Sequence, residues 1–465
     1  MRPDKNFRTW SRRRFLRAGA AAALAALAGP SLTGCAKNPV TGQSQFMLVS
    51  REQEIAMDKQ SSPHQLSADY GPVQDGALND YVAGVGTSLS KVSHRPDMPY
   101  SFRVVNANYV NAYAFPGGTI ACTRGILLGV ESEAELSALL GHEIGHVNAR
   151  HTASRMSTQL VVGGLAGIGG AIIGAKYGNG WGSLAGGLGG FGVGMLLASY
   201  SRDDERQADS LGMEYMTRAE YNPDGMVELM DMLNDQHDSE PSAVEVMFAT
   251  HPMSSERLAV ARKRVFTQYA SAGEYSIYRE RYMDNTASLR KLAPVVKELQ
   301  DAEKLMRQEK YGEAETAIAS ALKKAPNDYA GLLLMSKCRI AQGKYAEAKP
   351  YAEKARAVYP AEPQAMQLAG VLQMKSGKYD AAYADFDRYE KTLPGNPYTV
   401  FYKGYSQEGM GHRNEAAQEY VRFLNQVNSG DQAKHAYQRL VEWGFISGEA
   451  RPASAPFAGL LPEPA

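Results

Sequence analysis

The chain has 465 residues, too many for one hydrophobic core and enough for about three domains. Its formal charge is zero, but the first 34 residues hold Arg2, Lys5, Arg8, Arg12, Arg13, Arg14 and Arg17 against Asp4 alone, leaving 43 basic and 49 acidic residues and a net charge of −6 for the rest. A mildly acidic body argues against nucleic acid as a partner. The three cysteines, Cys35, Cys122 and Cys338, show no metal-ligand spacing, so any metal has to be held by His and carboxylate.

The N-terminus reads as an address. Ser11 to Arg17 (SRRRFLR) resembles the twin-arginine export signal, and the Ala/Leu run that follows is too short and too rich in small residues for a membrane span. Leu32-Thr33-Gly34-Cys35 then resembles a bacterial lipobox, in which the cysteine is acylated and begins the mature chain. Ala36 rather than Asp behind it implies sorting to the outer membrane. The expectation is a periplasm-facing lipoprotein anchored through Cys35, with residues 35–50 as its tether.

Helices are expected from Ser50 and over Asn79–Val92, where Tyr81, Val82, Val85, Leu89 and Val92 recur at helical spacing. Residues 100–105 alternate as a strand, and residues 111–122 read as strand, turn, strand. Pro116 cannot donate to a ladder, which puts Ala112, Tyr113, Ala114, Phe115 and Pro116 at a sheet edge. An exposed edge there could take an extended peptide as an added strand, or be one side of a structural hairpin.

Next comes His142-Glu143-Ile144-Gly145-His146, opened by Ser132 and Glu135 as a capping box and carried on Ala134, Leu136, Leu139 and Leu140. On a helix the two histidines leave one face a turn apart, the geometry for two nitrogens on one zinc ion, with Glu143 beside them to take a proton from water. Zinc needs a third protein ligand. The metzincin continuation fails, because Ala149 and Thr152 stand where Gly and His would be required. His151 is too far round the helix to join, and reads as a supporting or surface group. In Ser201–Asp209 (SRDDERQAD), Glu205 and Asp209 share a helical face, so Glu205 can ligate while Asp209 takes the far N–H of a ligand histidine.

HEIGH, the earlier NAYAFPGG and the later ERQAD together resemble the gluzincin peptidases that include the CAAX prenyl endopeptidases and the heat-shock protease HtpX, over about residues 36–265. The resemblance implies one zinc ion held by His142, His146 and Glu205, with Glu143 as base and Asp209 behind the ligands. Thr250-His251-Pro252 with Arg257 resembles that family's later His-Pro…Arg element. His251 could steady an oxyanion, close the open zinc position and hold the enzyme off, or simply pack.

Between Met156 and Ser201 there is one charged residue, Lys176, and fifteen glycines. The stretch reads as a helical hairpin that covers the cleft, with a membrane-embedded hairpin as the alternative. Further on, Tyr311, Tyr345 and Tyr379 recur every 34 residues, as do Ala314, Ala348 and Ala382, and Pro326, Pro360 and Pro394. That register resembles tetratricopeptide repeats, four units and a capping helix, whose concave surface implies a protein partner.

The expected architecture is mainly α with a small β-sheet. A signal peptide (1–34) and tether precede a zincin-like metallopeptidase domain (51–285, insert 156–201), a repeat domain (296–444) and a disordered tail (447–465). A peptidase followed by such repeats resembles the β-barrel assembly-enhancing proteases of the periplasm. That resemblance implies misfolded or stalled envelope proteins as substrates, and repeats that meet the outer-membrane assembly machinery. The competing class is a chaperone or adaptor lipoprotein with latent proteolysis.

Overall fold

The computed structural model describes residues 35–158, 199–239 and 241–446. The expected signal peptide, most of the glycine-rich insert and the expected tail lie outside them. Strands β1 (Cys35–Lys37) and β2 (Ser44–Phe46) pair antiparallel and lead into α1 (Arg51–Ala68). Ser50 and Gln53 cap α1 reciprocally, each side chain reaching the other's backbone N–H. Helix α2 (Gly76–Lys91) buries Leu78, Val82, Val85 and Leu89, one face of its 3.6-residue period, against the sheet and the central helix.

Strands β3 (Ser101–Val105), β4 (Ala112–Ala114) and β5 (Thr119–Thr123) form a sheet in the order β3-β5-β4. β3 runs parallel to β5 with Ser101 opposite Thr119, and β4 runs antiparallel with Ala112 opposite Cys122. β4 is therefore an edge, but not an exposed one. Ala112, Tyr113, Ala114, Phe115 and Pro116 are all buried, which corrects the expectation of an open edge. Tyr113 and Phe115 turn into a separate apolar cluster with Val105, Ala107 and Ala121.

After the short α3 (Arg124–Gly129), the central helix α4 (Glu133–Ala149) is buried at every position. Ser132 caps it as expected, accepting from Glu135 N at 3.1 Å. The return half of the box differs, since the Glu135 carboxylate accepts from Glu131 N and Ser132 Oγ. Around α4 pack α5 (Arg202–Arg218), α6 (Asp224–Ser239), α7 (Pro241–Thr250) and α8 (Ser255–Phe266). The α4–α5 approach is close because small residues face each other. A Cβ on Gly145 would lie 3.0 Å from Ala208 O, and one on Gly212 would lie 2.9 Å from His142 N. Nothing larger than glycine fits there without pushing the helices apart.

The C-terminal part is a stack of four helix pairs. The first helices of the pairs are Ala293–Arg307, Tyr329–Ala341, Pro363–Lys375 and Pro397–Gly409. Their partners are Tyr311–Lys324, Tyr345–Val358, Tyr379–Thr392 and Arg413–Leu424, and Asp431–Glu442 closes the stack. Ala314, Ala348, Ala382 and Ala416 are fully buried where the helices cross; Gly343, Gly377 and Gly411 take positive φ at the turns inside the last three pairs, where the first pair has Glu309 (φ 59). The helical region thus repeats its structure in the 34-residue register of its sequence, the form of tetratricopeptide proteins.

The inner side of the stack is not open along its first units, because the end of α1 fills it. Tyr70 (φ 65) and Gly71 (φ 72) form a left-handed turn that projects the Tyr70 ring against the cores of the first two pairs. Lys337 Nζ lies 4.8 Å from that ring's centre, and Glu303 accepts from the Tyr70 hydroxyl at 3.2 Å. Glu362 accepts from both Ser67 and Tyr329. Arg124 forks onto Asp328 at 2.6 and 3.1 Å, with both side chains almost wholly buried. Among the described residues no helix is long and apolar enough to cross a membrane.

Candidate metal centre

Helix α4 presents His142 and His146 on one face, and the close packing of α5 brings Glu205 against them. His146 Nε2 lies 3.0 Å from His142 Nε2 and 3.4 Å from Glu205 Oε1, and His142 Nε2 lies 3.7 Å from Glu205 Oε2. The segment after α7 adds His251, whose Nδ1 is 3.0 Å from Glu205 Oε1 and 3.4 Å from His142 Nε2. One ligand atom from each of these four residues lies within 4.8 Å of the other three, and all four residues are buried. His251 thus sits among the possible donors.

The far sides of the rings are also committed. Asp209 Oδ1 faces His142 Nδ1 at 3.0 Å, as its spacing from Glu205 suggested. With the His142 proton drawn to that side, its Nε2 lone pair points into the cluster. Arg257 grips Asp209 through two nitrogens at 2.7 Å and reaches Glu205 Oε2 at 2.6 Å, so one buried cation offsets two buried carboxylates. His151 Nδ1 lies 2.9 Å from His146 Nδ1. Tyr200 stacks on the His146 ring at 3.8 Å between centres, a partner with no sequence signature at the end of the glycine-rich stretch. Burial pushes its hydroxyl up to about 12, so it stays neutral.

Burial opposes charge on Glu205, yet His251 and His146 outweigh it and hold that carboxylate far below its usual range. Burial drives His146 well below the usual imidazole range. A carboxylate that stays ionised beside the His146 imidazole, with two ring nitrogens converging at 3.0 Å, is a donor set for a divalent cation. The residues fit zinc, which takes N and O donors of this kind.

Glu143 lies beside this cluster without contributing one of its donor atoms. It is fully buried, neither of its oxygens has a hydrogen-bond partner, and Oε1 lies 3.7 Å from His251 Nε2. Burial raises its pKa, and the nearby His251 and His142 only partly offset this. Ala114, Phe115 and Pro116 flank a small pocket beside His146, whose other walls include Glu54, Arg150 and Thr152. Glu54, missed at the level of sequence, is a buried carboxylate joining Arg95 at 2.8 Å to Arg150 at 2.9 Å under the end of α4.

Residues 77–265 match the family model for peptidase family M48. They form a peptidase family M48 domain. The chain is 31% identical over 230 residues to the β-barrel assembly-enhancing protease of Yersinia pestis, covering 49% of this chain and 46% of that one. It is 27% identical over 223 residues to the mitochondrial metalloendopeptidase OMA1 of Schizosaccharomyces pombe, covering 47% of this chain and 63% of that one. The chain spans about half the length of the β-barrel assembly-enhancing proteases it matches. Among solved structures it is similar to YrrB, a TPR protein with an unusual peptide-binding site, at 14% identity and a TM-score of 0.30, covering 44% of this chain and 97% of that one. In the M48 domain the HEIGH helix, the acidic helix and the His251 segment are thus three separate elements meeting at one point.

Proposed function

We propose that this chain is a zinc-dependent endopeptidase of the bacterial cell envelope that hydrolyses misfolded or stalled envelope and outer-membrane proteins. The observation that carries the reading is the convergence of His142, His146, Glu205 and His251 beside a buried Glu143 whose carboxylate has no hydrogen-bond partner among the described residues. His142, His146 and Glu205 hold one zinc ion, which when bound supplies Lewis acidity for the peptide carbonyl and the attacking water. Glu143 takes the proton of that water and passes it to the leaving amine. Asp209 orients His142 through the bond at Nδ1.

The relatives named β-barrel assembly-enhancing proteases support outer-membrane assembly as the setting. The lipobox at Cys35 supports a lipid anchor in the outer membrane, facing the periplasm, and the repeats serve to recruit clients or the assembly machinery. Purified chain carrying Glu143→Gln, expressed in a bacterial envelope and isolated under mild conditions, retains bound clients that are mainly outer-membrane proteins. Recovery of cytoplasmic proteins alone sinks the envelope assignment.

His251 decides between a free-running protease and a latent one. With Nδ1 among the donor atoms, it supports a fourth-ligand latch over an oxyanion role. Replacing His251 with Ala therefore raises casein cleavage by the purified chain. A large loss of cleavage assigns His251 to oxyanion stabilisation instead.

A further inference from the structure

His151 follows the zinc-binding motif by five residues, which in an unbroken helix is about 140° away from His146. The helix is broken. α4 ends at Ala149, and Arg150 takes a left-handed conformation, φ 61, before residues 151–158 resume as helix. Arg150 is held in that conformation by Glu54 Oε1 at 2.9 Å from Nε and by Val49 O at 2.7 Å from Nη2. The resulting turn swings His151 back over His146 and buries it.

Two ring nitrogens 2.9 Å apart need one proton between them, and the two His146 nitrogens are not equivalent. Its Nε2 lies among the donor atoms and has to carry a lone pair to bind a cation. In the neutral ring the proton is then on Nδ1, so His151 Nδ1 accepts it. His151 in turn carries its proton on Nε2, where Gln207 Oε1 waits at 3.0 Å with Asp204 Oδ1 at 3.5 Å. We propose that His151 is a positioning residue that fixes which His146 nitrogen faces the metal, through a relay running from His146 to His151 to Gln207. Helix α5 then serves both ligand histidines from behind, His142 directly through Asp209 and His146 through Gln207 by way of His151.

The proposal rests on the zinc-binding reading above, and one titration separates the two. Metal-free full-length chain is titrated with zinc against a chromophoric competitor, and the melting temperature of the metal-free chain is recorded beside it. His151→Leu fills the space without an acceptor and weakens zinc binding by about 10–100-fold. His151→Asn places a carbonyl oxygen where Nδ1 was, and holds the affinity within about threefold of the parent, the loss expected to stay well below that of removing the partner. The metal-free melting temperatures of folded variants stay together. Parent-like binding by His151→Leu, or equal weakening in both variants, overturns the relay. Should His151→Leu not fold, a tenfold or larger loss in His151→Asn overturns it alone. A parent chain that fails to bind zinc removes both the relay and the peptidase reading.

Discussion

Glu143→Gln lowers casein cleavage by about 10²–10⁴-fold and leaves zinc affinity where it was. A buried carboxylate with no hydrogen bond on either oxygen is expensive, by several kcal/mol per ion after relaxation. The chain buries Glu143 and gives it no hydrogen-bond donor among the described residues, which raises its pKa toward the range useful for a base, an effect that His251 and His142 only partly offset. Glutamine has nearly the same size and cannot accept the proton. None of the four converging donor atoms belongs to Glu143, so the metal set is untouched. The assay belongs in both the parent and the His251→Ala chain, because a latched parent starts from low activity. Undiminished cleavage in either would move the base to another residue.

Arg124→Ala costs about 3–5 kcal/mol, the penalty for leaving one partner of a buried ion pair alone. Arg124 lies on α3, at the rim of the peptidase domain, and Asp328 opens the first helix of the second repeat pair. Asp328 also caps that helix, accepting from Gly331 N at 2.8 Å. Burial would raise its pKa, but the charge and hydrogen bonds of Arg124 prevail and hold it below its ordinary 3.8. A carboxylate depressed in the folded state contributes stability that is complete above the ordinary value and is lost as pH falls through the folded one. Chemical denaturation therefore shows the largest gap between parent and variant near neutral pH, narrowing on acidification. Adding Asp328→Asn to Arg124→Ala keeps the cap, removes the stranded charge and recovers part of the loss. A variant with parental stability at neutral pH would show that the pair does not hold the two parts together.

Some of this was legible in the residues alone. Two histidines four apart share a face because a helix turns every 3.6 residues, and Glu205 with Asp209 repeats the same arithmetic. The 34-residue register announces a stack for a similar reason, since each pair needs small residues at its crossing and a turn at its end. Other features resisted such reading. Pro116, which cannot donate to a ladder, marks residues 112–116 as a sheet edge but not what covers it, so the expected open edge is in fact buried.

His151 shows most clearly where local rules end. Counted along a continuous helix it faces away, and only the left-handed Arg150, tied down by Glu54 nearly a hundred residues earlier, brings it to His146. In the same way the repeats imply a concave face, but not that Tyr70 and Gly71 occupy part of it, a contact between residues more than 200 apart in the chain. The sequence by itself determined periodic matters: which side chains share a face, which segments repeat, and which residue types can bind a metal. Tertiary structure alone decided the convergence of α4, α5 and the His251 segment, the covering of the edge strand and the docking of the repeats. The reason is physical. Periodicity is a property of one backbone element, whereas convergence depends on how closely elements approach, and that is set by packing at glycines and buried charges far apart in the chain.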